Sequence, residues 1–227
     1  MHEEHISKMV KLVASTVRRG AIIGLGSGST VAAFVKALSE TEVSKSITVV
    51  PSSMQIETVA LEAGLKVGGP QIIKELEWVF DGADQVDKRL NIIKGGGGAL
   101  FRERILLSAA KHCVIMVDEN KVVERLNKPL PIEASPFARW YVKDRLEAMG
   151  GKVMLRADKK GYPTITENGN IIFDVDFGEI GEPQNLHYKI KDIAGVIDTG
   201  LFILKSPSIY VARLDGSIYR LDQVSLC

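Results

Sequence analysis

The sequence predicts an α/β fold: a doubly wound, mostly parallel sheet domain with a smaller ferredoxin-like α+β lobe. In the first half, short apolar segments alternate with amphipathic helical segments, as in parallel strands covered by helices on both faces. From about residue 130 the predicted order becomes β-α-β-β-α-β, which is typical of a ferredoxin-like lobe. We expect residues 1–129 with 205–227 to form the first domain and residues 130–204 the second.

Apolar spacing and turn residues place the elements of the first half. Helices are predicted where apolar residues recur at helical spacing, and strands where short apolar runs end at glycine, proline or aspartate. Ser52 and Ser53 are suited to cap the third helix. The expected elements are a helix over 6–17, a strand at 21–25, a helix over 31–38, a strand at 47–50, a helix that reaches 63, a strand at 78–80, a helix over 100–110 and a strand at 113–117.

The second half continues with shorter elements. Glu167-Asn168-Gly169-Asn170 is a strong turn signal between two strands, and Asp215-Gly216 indicates a hairpin that rejoins the main sheet. The expected elements are a strand at 130–134, a helix over 138–149, strands at 164–166 and 171–175, a helix over 186–193, a strand at 196–204 and the hairpin strands 208–214 and 217–221.

The composition argues against several classes of protein. The 29 Lys and Arg residues nearly balance the 28 Asp and Glu residues, so no whole-chain field attracts nucleic acid or an anionic membrane. The two cysteines, Cys113 and Cys227, and the four scattered histidines have neither disulfide-framework nor metal-ligand spacing. No apolar run reaches the roughly 18 residues of a membrane span, and the N-terminus lacks a signal-peptide pattern. We therefore expect a cytoplasmic protein without a protein-ligated metal.

Polar segments follow several predicted strands, where ligands of open parallel sheets bind. The first is GLGSGST, residues 24–30, between a strand and a helix. Small residues let a backbone approach an anion closely, and the N–H groups of a helix start attract negative charge. The glycine spacing matches neither the dinucleotide fingerprint nor the P-loop. The segment indicates either a phosphate cradle, with hydroxyls from Ser27, Ser29 and Thr30, or a tight turn with a Ser/Thr cap.

Two carboxylates follow the strand at 78–80. Asp81 and Asp84 enclose Gly82 and Ala83, and at a strand end they could handle hydroxyl protons or bind a metal. The alternative is an ordinary turn in which Asp81 is a cap and Asp84 is solvated.

A lysine, four glycines and a glutamate form the next candidate. Lys94 precedes Gly95–Gly98, and Glu103 lies one turn into the following helix. Ordering four glycines costs backbone entropy, which favours a loop that a ligand approaches closely. The alternative is a flexible loop and an exposed Glu103 paired with Arg102 or Arg104, because most helical glutamates face water. Lys121, after the strand that ends at Asp118, is a weaker candidate.

Taken together, these segments resemble the type A family of ribose-5-phosphate isomerases. Matching stretches occur in order along nearly the whole chain: GLGSGST at 24–30, DGAD at 81–84, KGGGGALFRE at 94–103, DENK with Lys121, GNIIFDVDFG at 169–178 and GVIDTGLF at 195–202. Two positions depart from the pattern. Gln85 stands where the family usually has an acidic residue, and Ser7 and Lys8 compete for the alignment of a lysine that often faces the phosphate.

The resemblance implies an aldose–ketose isomerase that interconverts D-ribose 5-phosphate and D-ribulose 5-phosphate in the non-oxidative pentose phosphate pathway. It implies that Ser27, Gly28, Ser29 and Thr30 grip the phosphate and that Glu103 is the proton acceptor. The other substrate-binding residues implied are Asp81, Gly82, Ala83, Asp84, Lys94, Gly95, Gly96, Gly97 and Lys121. The family needs no metal or organic cofactor and commonly forms homodimers or homotetramers.

Isomerisation through an enediolate needs a base near C1 and C2 and a positive group for the developing oxyanion. We expect Glu103 to carry the proton from C2 to C1, with a pKa raised by apolar neighbours. Lys94 and loop N–H groups would stabilise the enediolate, while Asp81 and Asp84 relay hydroxyl protons and Asp81 assists ring opening. This hypothesis requires Glu103 to face inward, near the turn at 27–30.

Two other classes of protein stay open. One is a sugar-phosphate effector-binding domain without catalysis, although residues before 21 leave no room for a DNA-binding module and no basic recognition helix is present. The other is an acyl-CoA transferase-like enzyme in which a glutamate attacks a thioester, and such an enzyme would prefer an acyl donor.

Overall fold

The computed structural model describes residues 2–221, with side chains from Glu4 onward, as six α-helices and fifteen strands. The helices are α1 (His2–Ala14), α2 (Ser29–Ser39), α3 (Met54–Glu62), α4 (Leu100–Ala109), α5 (Arg139–Ala148) and α6 (Pro183–Lys191). The strands are β1 (Ile22–Leu25), β2 (Thr48–Pro51), β3 (Lys66–Val67), β4 (Trp78–Gly82), β5 (Gln85–Asp87), β6 (Asn91–Ile93), β7 (His112–Asp118), β8 (Val122–Val123), β9 (Leu130–Ala134), β10 (Lys152–Leu155), β11 (Ile171–Asp176), β12 (Val196–Thr199), β13 (Leu201–Ile203), β14 (Ser208–Ala212) and β15 (Ile218–Leu221). No helix within this described range has both the length and the apolar character needed to cross a membrane.

The chain divides into two compact units. The first consists of Met1–Ala83, Arg102–Val122 and Leu204–Cys227, and the second of Asp84–Phe101 and Val123–Ile203. The expected boundaries assign residues 84–101 and 123–129 to the first domain, whereas the structure groups them with the second unit. The reason is strand pairing, because β5 pairs with β6 and β6 pairs with β13.

The first unit contains a doubly wound sheet of seven strands in the order β15-β14-β7-β4-β1-β2-β3. Neighbouring strands are parallel except β14 and β15, which form the hairpin at the edge. The predicted fold class and the return of the hairpin to the main sheet are thus confirmed. The strand order reverses between β1 and β4, so their carboxyl ends form the kind of switch point at which open α/β sheets bind ligands.

Helices cover both faces of this sheet. On one face, residues of α1, α2 and α3 share an apolar core with β1 and β4, in which Phe34 and Phe80 stack with ring centroids 4.6 Å apart. On the other face, a Cβ at Gly24 would lie 2.6 Å from Val79 Cγ2 and 3.5 Å from Leu106 Cβ. The helix α4, which carries Glu103, therefore packs on this face at an ordinary contact distance, and the close approach that glycine at position 24 allows is to Val79 of β4.

The second unit contains the predicted ferredoxin-like arrangement. Strands β9, β10, β11 and β12 form an antiparallel sheet in the order β10-β11-β9-β12, and α5 and α6 connect them. The apolar side chains of this sheet and of both helices form a separate core. A second small sheet has the order β13-β6-β5-β8.

Two predicted strands of the second unit are wrong in detail. In chain order, the second strand of the β10-β11-β9-β12 sheet is β10, not the predicted strand at 164–166. Residues 163–165 form only isolated bridges, at Pro163 and Ile165, because proline lacks the N–H that a ladder needs. The predicted strand at 196–204 is two strands separated at Gly200. There a Cβ would lie 2.3 Å from the carbonyl oxygen of Lys94, so this glycine allows the chain to pass from the β12–β9 pairing to the β13–β6 pairing.

Candidate active site

The glycine-rich turn after β1 shapes the start of α2. A Cβ at Gly26 would lie 1.8 Å from Oδ1 of Asp81, so only glycine allows that carboxylate to lie against the turn. Gly28 is the N-cap of α2 and has a φ of 94°, a left-handed conformation that favours glycine. The turn therefore leads into an 11-residue helix whose first residue, Ser29, is exposed. A helix start of this kind attracts anions.

Side chains from the end of β2 support this turn. Ser27 Oγ lies 2.9 Å from Ser52 Oγ and donates to Ser53 Oγ at 2.8 Å. The N–H of Gly28 donates to Gln55 Oε1 at 3.2 Å. Ser52 and Ser53 were expected only to cap a helix, and Gln55 carried no sequence signal of its own. Ser52 and Ser53 directly follow β2, which pairs with β1, and Gln55 lies in the first turn of α3.

Asp81 is a fully buried carboxylate at the end of β4, with 0% of its surface exposed. Its Oδ1 accepts a hydrogen bond from the N–H of Gly82 at 2.7 Å. Burial and, to a smaller extent, the charge of Asp81 raise the pKa of the Cys113 thiol to about 11. Cys113 is therefore a protonated thiol at neutral pH and not a nucleophile.

Glu103 faces inward from the first turn of α4. Its side chain is 4% exposed, and Oε1 accepts a hydrogen bond from the N–H of Ser27 at 3.2 Å. The burial excludes the alternative of a solvent-facing Glu103. The carboxylate thus contacts the turn at 27–30, and the N-terminal turn of a helix is a favourable place for its charge.

Lys121 lies in the short helical turn after β7. Its Nζ donates to the carbonyl oxygen of Ala83 at 2.7 Å, which places a cation at the carboxyl end of β4. Asp118 begins this turn: its Oδ1 accepts from the N–H of Asn120 at 3.1 Å, and its Oδ2 lies 2.6 Å from His5 Nε2. Both His5 and Asp118 are buried, so α1 is tied to the same turn.

In the second unit, Asp84 contacts the glycine loop. Asp84 Oδ2 accepts a hydrogen bond from the N–H of Gly96 at 2.7 Å, and a Cβ at Gly96 would lie 2.8 Å from Oδ1. The alternative of a merely solvated Asp84 does not fit this contact. Gly95 has a φ of 105°, and the N–H of Gly98 donates to its carbonyl oxygen at 3.0 Å. The four-glycine segment is therefore an ordered turn.

Lys94 is buried at the start of this loop, with 3% exposure. Its backbone N–H donates to Gly200 at 2.9 Å, and its Nζ lies 5.9 Å from the centre of the Phe202 ring. An ammonium group over an aromatic ring gains favourable electrostatic energy, which helps to hold the charge in a buried position.

Gln85, the departure from the family pattern, is part of a local network. Its Nε2 donates to Asn127 Oδ1 at 2.7 Å, and its Oε1 accepts from the N–H groups of Asn127 and Lys128 at 2.8 and 3.1 Å. Only a side chain with both a donor and an acceptor makes all these contacts. Glutamine at position 85 therefore joins the 84–87 segment to residues 127–128.

The predicted site residues divide between the two units. Ser27–Thr30, Asp81–Ala83, Glu103 and Lys121 belong to the first, and Asp84 and Lys94–Gly97 to the second. Lys8 is exposed, with Nζ beside the turn at Gly216. In the described part of the chain, no three His, Cys, Asp or Glu side chains are grouped to hold a metal ion; Cys227 lies outside that part.

These groups support anion binding, proton transfer and the stabilisation of an oxyanion. The first unit offers an anion-attracting helix start and a buried carboxylate at the turn before it. The second unit offers a buried lysine and a turn of glycine N–H groups, which are donors suited to a developing oxyanion.

Comparison with known proteins finds relatives along almost the whole chain. A sequence profile of the family described as Ribose 5-phosphate isomerase A (phosphoriboisomerase A) matches residues 48–216. A Ribose-5-phosphate isomerase A from Methanosarcina acetivorans is 41% identical over 208 residues, covering 90% of this chain and 88% of its own length. A Ribose-5-phosphate isomerase A from Archaeoglobus fulgidus is 43% identical over 198 residues, covering 85% of this chain and 87% of its own length. A solved structure of D-ribose-5-phosphate isomerase in complex with phospho-erythronic acid is 34% identical, with a TM-score of 0.92, and the match covers 97% of this chain and 98% of that one.

Proposed function

Because the chain belongs to the ribose 5-phosphate isomerase A family and therefore interconverts ribose 5-phosphate and ribulose 5-phosphate, we propose that Glu103 is the base that moves the proton between C1 and C2. The family match over residues 48–216 is the main evidence for this reaction. Family membership also decides against the effector-binding domain without catalysis and against the acyl-CoA transferase-like enzyme.

Glu103 has the surroundings that a base for carbon acids needs. Burial removes the water that would compete for its carboxylate, and the N–H of Ser27 holds Oε1 in one orientation. In the proposed mechanism Glu103 takes the proton from C2 of the open-chain aldose and returns it to C1 of the enediolate. A pKa raised toward neutrality by desolvation would suit this role, and that rise stays a prediction.

The turn at Ser27–Thr30 binds the phosphate in this proposal. The N-terminus of α2 supplies N–H groups and the positive end of a helix dipole. Ser29 and Thr30 add hydroxyl donors, and Ser27 is held by Ser52 and Ser53. Gln55, which accepts from the N–H of Gly28, would release that donor when phosphate binds.

The two aspartates act on the sugar hydroxyls. Asp81 is oriented by the N–H of Gly82 and by the absence of a side chain at Gly26, and we assign it the proton transfer that opens the ring. Asp84, fixed by Gly96, relays protons at the hydroxyls of the open chain. Lys121, at the carbonyl of Ala83, completes the substrate-binding set.

Lys94 and the glycine loop stabilise the enediolate. A fixed cation and preorganised N–H donors lower the energy of an oxyanion most effectively where water is excluded, and Lys94 is buried. In this loop Gly95 and Gly97 supply the donors, and Gly96 holds the loop in place because its own N–H donates to Asp84 Oδ2. The relative solved with phospho-erythronic acid supports the proposal of one site for the phosphate and another for the enediolate. That compound joins a phosphate to a planar carboxylate that resembles an enediolate.

We further propose that the enzyme acts in the cytoplasm as a homodimer or homotetramer, without a metal, organic cofactor, nucleic acid or membrane partner. A phosphorylated sugar does not cross an apolar bilayer unaided, so the enzyme must share the compartment in which its substrate is made. Light scattering during size-exclusion chromatography measures the oligomer directly: a molar mass of two or four chains supports the proposal, and a monomer contradicts it.

Ketose formation by the purified protein tests the whole proposal. The protein is incubated with ribose 5-phosphate and EDTA, free ribose serves as the matched substrate without phosphate, and phospho-erythronic acid serves as a competitor. We expect ketose from ribose 5-phosphate only, with competitive inhibition. Equal turnover of free ribose would contradict the phosphate cradle. Activity that EDTA abolishes and a divalent ion restores would overturn the cofactor-free mechanism.

A further inference from the structure

The glycine loop of the second unit is held from two sides. On one side, the N–H of Gly96 donates to Asp84 Oδ2 at 2.7 Å. On the other, Arg156 Nη1 donates to the carbonyl oxygens of Gly95 at 2.8 Å and Gly96 at 3.1 Å. The two middle peptide groups of the loop are therefore oriented by a carboxylate and a guanidinium that come from different parts of the chain.

Arg156 is itself fixed by Asp174. Its Nε donates to Asp174 Oδ2 at 2.8 Å and its Nη2 to Oδ1 at 2.5 Å, a two-pronged geometry that sets the plane of the guanidinium. The pair has side-chain exposures of 16% and 28%, so solvent screens it less than an ordinary surface pair. Met154 lies opposite Asp174 in the β10–β11 ladder, and the N–H of Arg156 continues that ladder to Ile172. The strand period of two thus puts Arg156 and Asp174 on the same face.

These contacts determine the direction of one further donor. The described residues contain no cis peptide bond, and in a trans peptide the C=O and the next N–H point in opposite directions. Because the carbonyl of Gly96 points at Arg156, the N–H of Gly97 points away from it. Gly97 is exposed, and a Cβ built there would meet no atom within 4 Å apart from its chain neighbours, so a ligand can approach this residue closely.

We propose that Arg156 is a positioning residue for the isomerisation: aligned by Asp174, it fixes the peptide groups of Gly95 and Gly96 so that the N–H of Gly97 is presented to the sugar. The inference rests on the proposed function, in which the loop stabilises the enediolate. A lysine would not serve, because one ammonium group cannot bond two carbonyl oxygens and both carboxylate oxygens in a single plane.

Kinetics of Arg156→Ala, beside the matched control Arg125→Ala, test this role. Arg125 also pairs with a carboxylate of the second unit, Glu179 at 2.6 Å, but both side chains are more than half exposed. For Arg156→Ala we expect kcat to fall by about 10²-fold, since a misplacement of about 1 Å has such an effect. We expect KM to change by less than about threefold, because the donor acts mainly in the transition state. Arg125→Ala should keep parental kcat.

Rescue by guanidinium separates positioning from a purely structural role. Added guanidinium ions at non-denaturing concentration should restore kcat of Arg156→Ala by about tenfold, because they can reoccupy the space between Asp174 and the two carbonyls, and should leave Arg125→Ala unchanged. Parental kcat in Arg156→Ala would overturn the proposal. So would a loss that guanidinium does not relieve.

A second variant decides the matter if Arg156→Ala does not fold. Arg156→Lys keeps the charge and most of the stem, and the proposal predicts that it loses kcat like the alanine variant; a lysine variant with parental kcat overturns it. The parent and Glu103→Gln are assayed in parallel. A Glu103→Gln variant with parental activity would contradict the proposed base, whereas parental activity confined to the Arg156 variants would contradict only the positioning role.

Discussion

Replacing Gly26 by alanine should disable Asp81 although residue 81 itself is not mutated. The new Cβ would lie 1.8 Å from Asp81 Oδ1, and real Cβ atoms essentially never approach closer than 3.0 Å, so the oxygen must move by at least 1.2 Å. That movement breaks the 2.7 Å hydrogen bond from Gly82. Because a misplacement of about 1 Å can cost about 10²-fold in rate, we expect kcat/KM to fall by at least that factor. Overpacking should also lower the free energy of unfolding by about 1–3 kcal/mol.

Gly24→Ala is the matched control for the steric part of this effect. Its Cβ would lie 2.6 Å from Val79 Cγ2. Like Gly26→Ala, this variant overpacks against a residue of β4, but the residue is apolar. We expect a similar loss of unfolding free energy with kcat/KM within about threefold of the parent. Ketose formation from ribose 5-phosphate and urea unfolding measure the two quantities. Parental kcat/KM in Gly26→Ala, or an equal loss of kcat/KM in Gly24→Ala, would refute the argument that the glycine exists to seat Asp81.

Two other perturbations probe the phosphate turn and Cys113. Ser29→Ala and Thr30→Ala should each raise KM for ribose 5-phosphate by about 10- to 100-fold with little change in kcat, because a hydrogen bond to a charged group contributes about 1.5–3 kcal/mol; an unchanged KM would contradict the cradle. In a Cys227→Ser background, Cys113 should react slowly with thiol reagents, because burial first and Asp81 second raise its pKa to about 11. A raised pKa means that thiolate appears only as the pH rises, so the labelling rate should increase about tenfold per pH unit between pH 7 and 10. Labelling at pH 7 as fast as a free cysteine would contradict this.

The first unit was largely predictable because its signals are local. Apolar runs that end at glycine, proline or aspartate mark β1, β2, β4 and β7, and helical spacing marks the intervening helices. The same signals locate the polar segments at strand ends, where the sheet order then brings the turn at 26–29 beside Asp81. What the residues alone left open was whether Glu103 faces inward, because one glutamate in a helix carries no signal of its own burial.

The second unit was harder to predict because its pairings are short or irregular. Strands β5 and β6 have three residues each, too few for a period to be visible. Strand β10 exposes Met154, so its apolar pattern does not mark a buried strand. Arg156 carried no signal, because its partners Gly95 and Gly96 lie about sixty residues away in sequence. Only the folded sheet brings a guanidinium to that loop.

Turnover of Glu103→Gln with ribose 5-phosphate tests the central claim most directly. Glutamine keeps the size of the side chain and an oxygen that can accept the hydrogen bond from Ser27, so folding and substrate binding should be preserved. We predict a loss of kcat of about 10²- to 10⁴-fold or more, with KM changed little, because the variant has no carboxylate to take the proton from C2. A variant that folds and keeps kcat within about threefold of the parent would show that another group moves the proton.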